Sequence, residues 1–187
     1  LLADTMAGFG VAVLGAGDEA LELRALAQWF TESGNRFSHQ FASVARWEGE
    51  LAGLVLCFPG CDSMRLNLAC GRSIRKLYTV QNLAKLIWRG MVLGHTREAD
   101  KDEFLVAHVA VFEQFRHKGI ASALLSQAVA LARESGLNRL ALDVEIGNLP
   151  AIECYQRFGF TTQFTTRFGS HEERLRCPGY YKMMLQL

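Results

Sequence analysis

The sequence predicts an α/β fold on a mixed sheet, and three observations carry that expectation. Two apolar strands joined by a tight turn precede residue 61. A strand–helix–strand–helix run follows Glu103. Half of the 187 residues are apolar against 21% charged, enough to bury a core and too few charges for a disordered chain. That length fits one compact domain spanning 1–187, with 61–102 as a helical insertion.

Asp18 to Phe30 repeats apolar residues at helical spacing (Ala20, Leu21, Leu23, Leu26, Ala27, Phe30), and Ser33-Gly34-Asn35 stops the helix. Phe41 to Trp47 and Leu51 to Phe58 read as strands of a hairpin turning at Glu48-Gly49-Glu50 and closed by Pro59-Gly60. Ser73 to Leu93 reads as one or two basic amphipathic helices, with packing on the sheet favoured over a lid. Arg97 to Glu103 is a charged connector. Phe104 to Phe112 is a strand, and Gly119 to Glu134 is a helix closed by Ser135-Gly136. Arg139 to Ile146 alternates as a strand does. Asn148 to Phe158 is a short helix with Pro150 near its start, and strands around Phe160–Phe168 and Tyr180–Leu187 finish the chain.

Composition narrows the function classes. Lys plus Arg number 20 against 19 for Asp plus Glu, a formal charge of +1, which argues against nucleic-acid binding through a broad basic face. The longest uncharged stretches, Thr5–Gly17 and Gly119–Ala132, are 13 and 14 residues, short of the ~18 that suggest a membrane span. No basic-then-apolar leader opens the chain, so the expectation is a soluble cytoplasmic protein with no membrane partner. The five cysteines form no CxxC pair and no zinc set, so they read as free thiols and no metal is expected.

Chemistry concentrates in two segments. In the first, Val109-Ala-Val-Phe-Glu-Gln-Phe-Arg-His-Lys-Gly-Ile-Ala-Ser122, a strand ends, a short basic loop follows and a long helix begins. Unpaired N–H groups at a helix start, the helix dipole, Arg116, Lys118 and a slim Gly119 and Ala121 suit a phosphate or diphosphate. The second holds Leu140-Ala-Leu-Asp-Val-Glu-Ile-Gly-Asn148, then Ala151, Tyr155 and Gly159-Phe160.

Together these segments resemble the Gcn5-related N-acetyltransferase (GNAT) superfamily. Arg116-His-Lys-Gly119-Ile-Ala121 is similar to its R/Q-x-x-G-x-G/A loop, and Asn148-x-x-Ala151-x-x-x-Tyr155-x-x-x-Gly159-Phe160 to its second signature. The resemblance implies a mixed sheet splayed between strands 4 and 5, with a helical insertion before strand 4. It implies acetyl-CoA as acyl donor, its pantetheine on the backbone of Val109, Ala110 and Val111. The diphosphate would rest on the amides of Arg116, His117, Lys118, Gly119, Ile120, Ala121 and Ser122. Asn148 and Ala151 would brace the slot, and Tyr155 would protonate the leaving thiolate. The acceptor would be a primary amine of a small molecule or peptide, attacking directly in a ternary complex. The alternative is an acyl-CoA-binding regulatory domain without turnover.

A general base is less plain. Relatives place Glu or His on the strand before the loop, where this chain has Leu105 and Ala107, and His108 has the opposite parity unless a bulge re-aims it. Asp143 is the better candidate; its twelve-residue lead over Tyr155 is similar to the acid/base pairing of N-terminal acetyltransferases of ribosomal proteins. Glu145 shares its strand face. Cys154, beside Tyr155, is the one thiol to watch for a covalent route.

Val11-Ala-Val-Leu-Gly15-Ala-Gly17-Asp-Glu-Ala20 imitates the opening of a dinucleotide-binding fold. The following strand enters a hairpin rather than a parallel crossover, which disfavours a nicotinamide reading. Val11–Leu14 is then either the family's first strand followed by one shortened helix, or the family's usual opening is missing and residues 1–30 are helical remnants. The closing strand offers an edge for a homodimer.

Overall fold

The computed structural model describes residues 1–93 and 98–187. The chain begins with two helices, α1 (Leu2–Val13) and α2 (Glu19–Thr31), followed by the hairpin β1 (Ala42–Trp47) and β2 (Glu50–Pro59). Three helices separate the hairpin from the next strand: α3 (Ser63–Cys70), α4 (Ile74–Leu77) and α5 (Val80–Leu93). Then come β3 (Phe104–Val111), α6 (Ile120–Glu134), β4 (Arg139–Glu145), α7 (Leu149–Phe158), β5 (Thr161–Arg167), α8 (Glu172–Leu175) and β6 (Gly179–Gln186). The six strands form one mixed sheet in the order β1-β2-β3-β4-β6-β5.

Two apolar layers sandwich the sheet. On one face α6 and α7 pack through Leu124, Leu125, Ala128, Ala132 and Ile152 onto Val55, Val106, Leu140, Leu142 and Val144. On the other, α2 and the inserted helices bury Leu21, Ala25, Trp29 and Leu66 against Leu54, Leu56, Leu105 and Ala141. Alternation along each strand sends neighbours to opposite layers. A third cluster ties α1 to the closing strand, with Phe9, Phe168 and Tyr180 meeting edge-on or stacked at 5.2–6.3 Å.

Local chemistry sets the helix ends. Asp18 caps α2 by accepting from the amides of Ala20 and Leu21. At its other end buried Asn35 donates Nδ2–H to the carbonyls of Trp29 (2.8 Å) and Glu32 (2.9 Å), while its Oδ1 accepts from Phe37 N–H at 2.9 Å. One side chain thereby fixes the arm carrying Arg36 and Phe37. The hairpin turns at Glu48 and Gly49, both left-handed at φ 51° and 87°, as a two-residue turn between strands prefers.

Several expectations change here. Val11–Val13 lies inside α1 and not in a strand, so neither the family's first strand nor a dinucleotide-fold opening starts there. The splay expected between strands 4 and 5 accordingly falls between β3 and β4. The insertion is helical, and α5 packs Leu83 and Leu86 into the core rather than standing free. Arg97, the expected start of the connector, lies outside the described residues. The closing strand β6 is paired on both edges, to β4 and β5, so it has no edge to offer a second copy. No helix among the described residues is long and apolar enough to cross a membrane.

Replacing Asn35 with Ala strands two carbonyls and one amide in a buried place. The expected cost is about 2–4 kcal/mol, read as a lower urea midpoint at unchanged m-value.

Candidate active site

The sheet opens in its middle. Strands β3 and β4 run parallel and pair only at Phe104↔Leu140 and Leu105↔Ala141. Beyond that point β3 stays paired to β2 as far as Val111↔Gly53, and β4 to β6 as far as Glu145↔Tyr180. Each strand is held by its outer neighbour while the inner edges part, so Val106–Val111 faces a slot. Buried backbone groups there need partners from outside the ladder.

The loop Arg116–Gly119 crowns this slot and is exposed throughout. His117 (φ 61°) and Gly119 (φ 77°) are left-handed, and Gly119 is the residue before the first turn of α6. No side chain caps that end, and a Cβ added to Gly119 would meet nothing within 4 Å. The helix N–H groups therefore open onto free space with the positive end of the dipole behind them. Buried Ile120, Leu124 and Leu125 anchor the helix that presents them. Lys118 lies over the rings of Trp47 (5.2 Å) and Phe115 (5.4 Å), which holds its ammonium beside the loop. A groove of about 670 Å³ adjoins the loop on the β1 side, lined by Trp47, Lys118, Gly119 and Gln127 among others.

The second motif flanks the slot. Asn148 caps α7 through Oδ1, which accepts from Ala151 N–H at 3.3 Å, so it acts on its own helix start. Tyr155, part-buried on α7, meets Phe160 edge-on at 5.9 Å. Its hydroxyl makes no hydrogen bond among the described residues, and burial raises the phenol well above its usual range. Burial also raises the Cys154 thiol, which disfavours a thiolate.

Asp143 lies on β4 facing the α1/α2 layer, opposite Lys182 in the β4–β6 register. Lys182 turns instead to the Glu103 carboxylate at 3.1 Å, with Asp100 at 4.0 Å. Arg36 pairs with Glu98 at 2.9 Å and donates to Asn67 at 3.0 Å. Among the described residues Asp143 has no direct counterion, and burial, then the like charge of Glu98, push it up to about 7. Burial raises Glu145 as well.

His108 joins the same face. The register steps from Leu56↔His108 to Cys57↔Val106, so Ala107 is an extra residue on β3. Such a bulge places two successive side chains on one side. Ala107 packs into the α1/α2 layer, and His108 contacts Thr5 of α1 and the Phe37 ring. A bulge thus re-aims His108 to the face that simple alternation would deny it. Sequence reasoning also missed Arg36, Glu98, Glu103 and Lys182, whose meeting depends on distant segments. Among the described residues no cluster of His, Cys, Asp and Glu suits a metal ion.

Comparison with known proteins agrees with this frame. The model of the acetyltransferase (GNAT) family matches residues 14–160. A GCN5-related N-acetyltransferase 4 of Arabidopsis thaliana, described as chloroplastic, is 44% identical over 112 residues, covering 57% of this chain and 37% of that protein. A putative ribosomal-protein-bS18-alanine N-acetyltransferase of Bacillus subtilis is 31% identical over 58 residues, 31% of this chain and 38% of its own length. The chain thus spans less than two fifths of either relative. In fold it is similar to an N-acetyltransferase of Staphylococcus aureus Mu50 (TM-score 0.64, 19% identity, 89% of this chain and 81% of that one). It is also similar to a Bacillus subtilis acetyltransferase solved with CoA (TM-score 0.51, 16% identity, 78% and 76%). A sheet that splits beside a left-handed glycine and an uncapped helix, and a family match across most of the sequence, lead to one conclusion: the chain belongs to the acetyltransferase (GNAT) family.

Proposed function

We propose that the protein transfers an acetyl group from acetyl-CoA to a primary amine of a small molecule or peptide, on one domain with 61–102 as an insertion. The observation that carries the reading is the two-residue ladder between β3 and β4, which leaves the facing edges of the two strands open to a ligand. Backbone groups at Val109, Ala110 and Val111 pair with the pantetheine amides, and an N–H there polarises the thioester carbonyl. The diphosphate rests on the amides from Arg116 to Ser122.

The amine enters from the α1/α2 side. Its nitrogen attacks the thioester carbon, the C–S bond breaks, and the acetyl group leaves on nitrogen. Asp143, held near 7, takes the ammonium proton as the base. Tyr155, whose phenol stays protonated, returns a proton to the departing thiolate from the α7 side. Asn148 and Ala151 hold the start of α7 and so set the height of Tyr155. The raised Cys154 thiol supports direct attack over an acyl-cysteine.

Calorimetry with CoA, and thiol release from acetyl-CoA across amines, peptide N-termini and aminoglycosides, test this. Tyr155→Phe is expected to lower kcat by about 100-fold with CoA affinity unchanged. Tight CoA binding without thiol release for any acceptor would instead indicate an acyl-CoA sensor, and no binding would overturn both readings.

The pH dependence has a definite sign. Asp143 is raised from 3.8 to about 7, so the fold favours its neutral form; that stability is complete below pH ~4 and lost as pH rises through ~7. Catalysis needs the ionised form, so kcat/KM is expected to fall about tenfold per pH unit below 7. Asp143→Asn should lose activity while gaining Tm relative to the parent at pH 8 and not at pH 4.

A further inference from the structure

The tautomer of His108 can be read from its neighbours. Thr5 has one hydroxyl hydrogen, and its Oγ1 donates it to the Leu2 carbonyl at 2.7 Å. The 2.7 Å contact between Thr5 Oγ1 and His108 Nδ1 therefore has Nδ1–H as donor. In a neutral imidazole the other nitrogen is then a bare lone pair. His108 is 8% exposed, and its Nε2 is buried with no partner among the described residues.

The position of this lone pair gives it meaning. His108 lies three residues past the last β3–β4 pair, on the strand bordering the slot and on the face of Asp143. Phe37 leans on the ring at 5.6 Å. Burial, then the nearby Arg36 guanidinium, lower the imidazole to about 3, so Nε2 remains an acceptor. A buried lone pair beside an opening calls for a donor from outside the chain.

We propose that His108 Nε2 accepts an N–H of the incoming amine and makes the site selective for primary over secondary amines. The inference rests on the acetyltransfer reading and deepens it. An attacking nitrogen must aim its lone pair at the thioester carbon. A primary amine carries two N–H groups: one proton passes to Asp143 as the C–N bond forms, and the other N–H meets Nε2 and stays on the amide. A secondary amine has a single N–H, which must go to Asp143, so Nε2 is left without a donor, and the extra carbon competes for the place beside His108. Thr5 acts through the ring as a positioning residue.

The experiment compares butylamine with N-methylbutylamine by thiol release at saturating acetyl-CoA. The parent is expected to favour butylamine by tenfold or more in kcat/KM. His108→Phe, which keeps the ring packing, should lose about tenfold on butylamine, mainly in KM, and most of the preference, with CoA affinity unchanged. His108→Gln, which restores an acceptor oxygen, should recover part of it, and Thr5→Val should shift KM the same way by less. An equal loss on both amines, or no loss, overturns the proposal. Should neither amine be turned over, or should His108→Phe not fold, ¹⁵N spectra of the CoA-bound parent decide. Nε2 must resonate as an unprotonated nitrogen and shift as butylamine is added, and no shift at saturation overturns the proposal. CoA binding with no Nε2 response removes only the role of His108; absence of CoA binding removes the acetyltransfer reading as well.

Discussion

Everything at the site depends on a ladder that stops after two pairs. Parallel strands that remained zipped would bury their edges in each other and leave nothing for a ligand. Here β3 and β4 meet only at Phe104↔Leu140 and Leu105↔Ala141. The outer strands β2 and β6 hold them apart, and α6 packs beneath with fully buried Leu125, Ala128 and Ala132. Each wall is therefore held by its outer neighbour, and the opening is a property of the sheet. The extra residue at Ala107 interrupts the β2–β3 ladder just past the last β3–β4 pair.

The charges on the α1/α2 face follow a similar logic of partners chosen elsewhere. Lys182 is opposite Asp143 in register yet pairs with Glu103, and Arg36 pairs with Glu98. Either cation alone, placed directly on Asp143, would hold its carboxyl low and make it a poor proton acceptor. By drawing both away, Glu103 and Glu98 leave burial to dominate at Asp143. The same guanidinium helps keep His108 neutral. One arginine thus influences two side chains of opposite chemistry, and the arm that carries it is fixed by Asn35.

Features written in contiguous residues were legible in the sequence. The hairpin, the loop before α6 and the short helix α7 are set by short-range periodicity and turn chemistry, and each is observed. Features set by register between distant segments were not. Whether His108 faces one layer or the other depends on where β2 meets β3, and a single extra residue reverses the answer. Arg36 and Glu98 are 62 positions apart, so nothing local announces their pairing. Val11–Leu14 is apolar without being a strand, since short apolar runs fit a buried helix equally well. Compartment is also poorly written in a folded domain: composition suggested the cytoplasm, and one relative is described as chloroplastic.

The sheet ends at β1 and β5, and both margins are interrupted. The β1–β2 register slips between Ala45 and Arg46, and β5 carries an extra residue at Gln163. Its remaining surface is mostly threonine, with Phe164 alone as a large apolar group. A kinked, hydrated rim makes a poor template for strand-by-strand accretion of further molecules, so crowding should not drive these sheets to grow into fibrils.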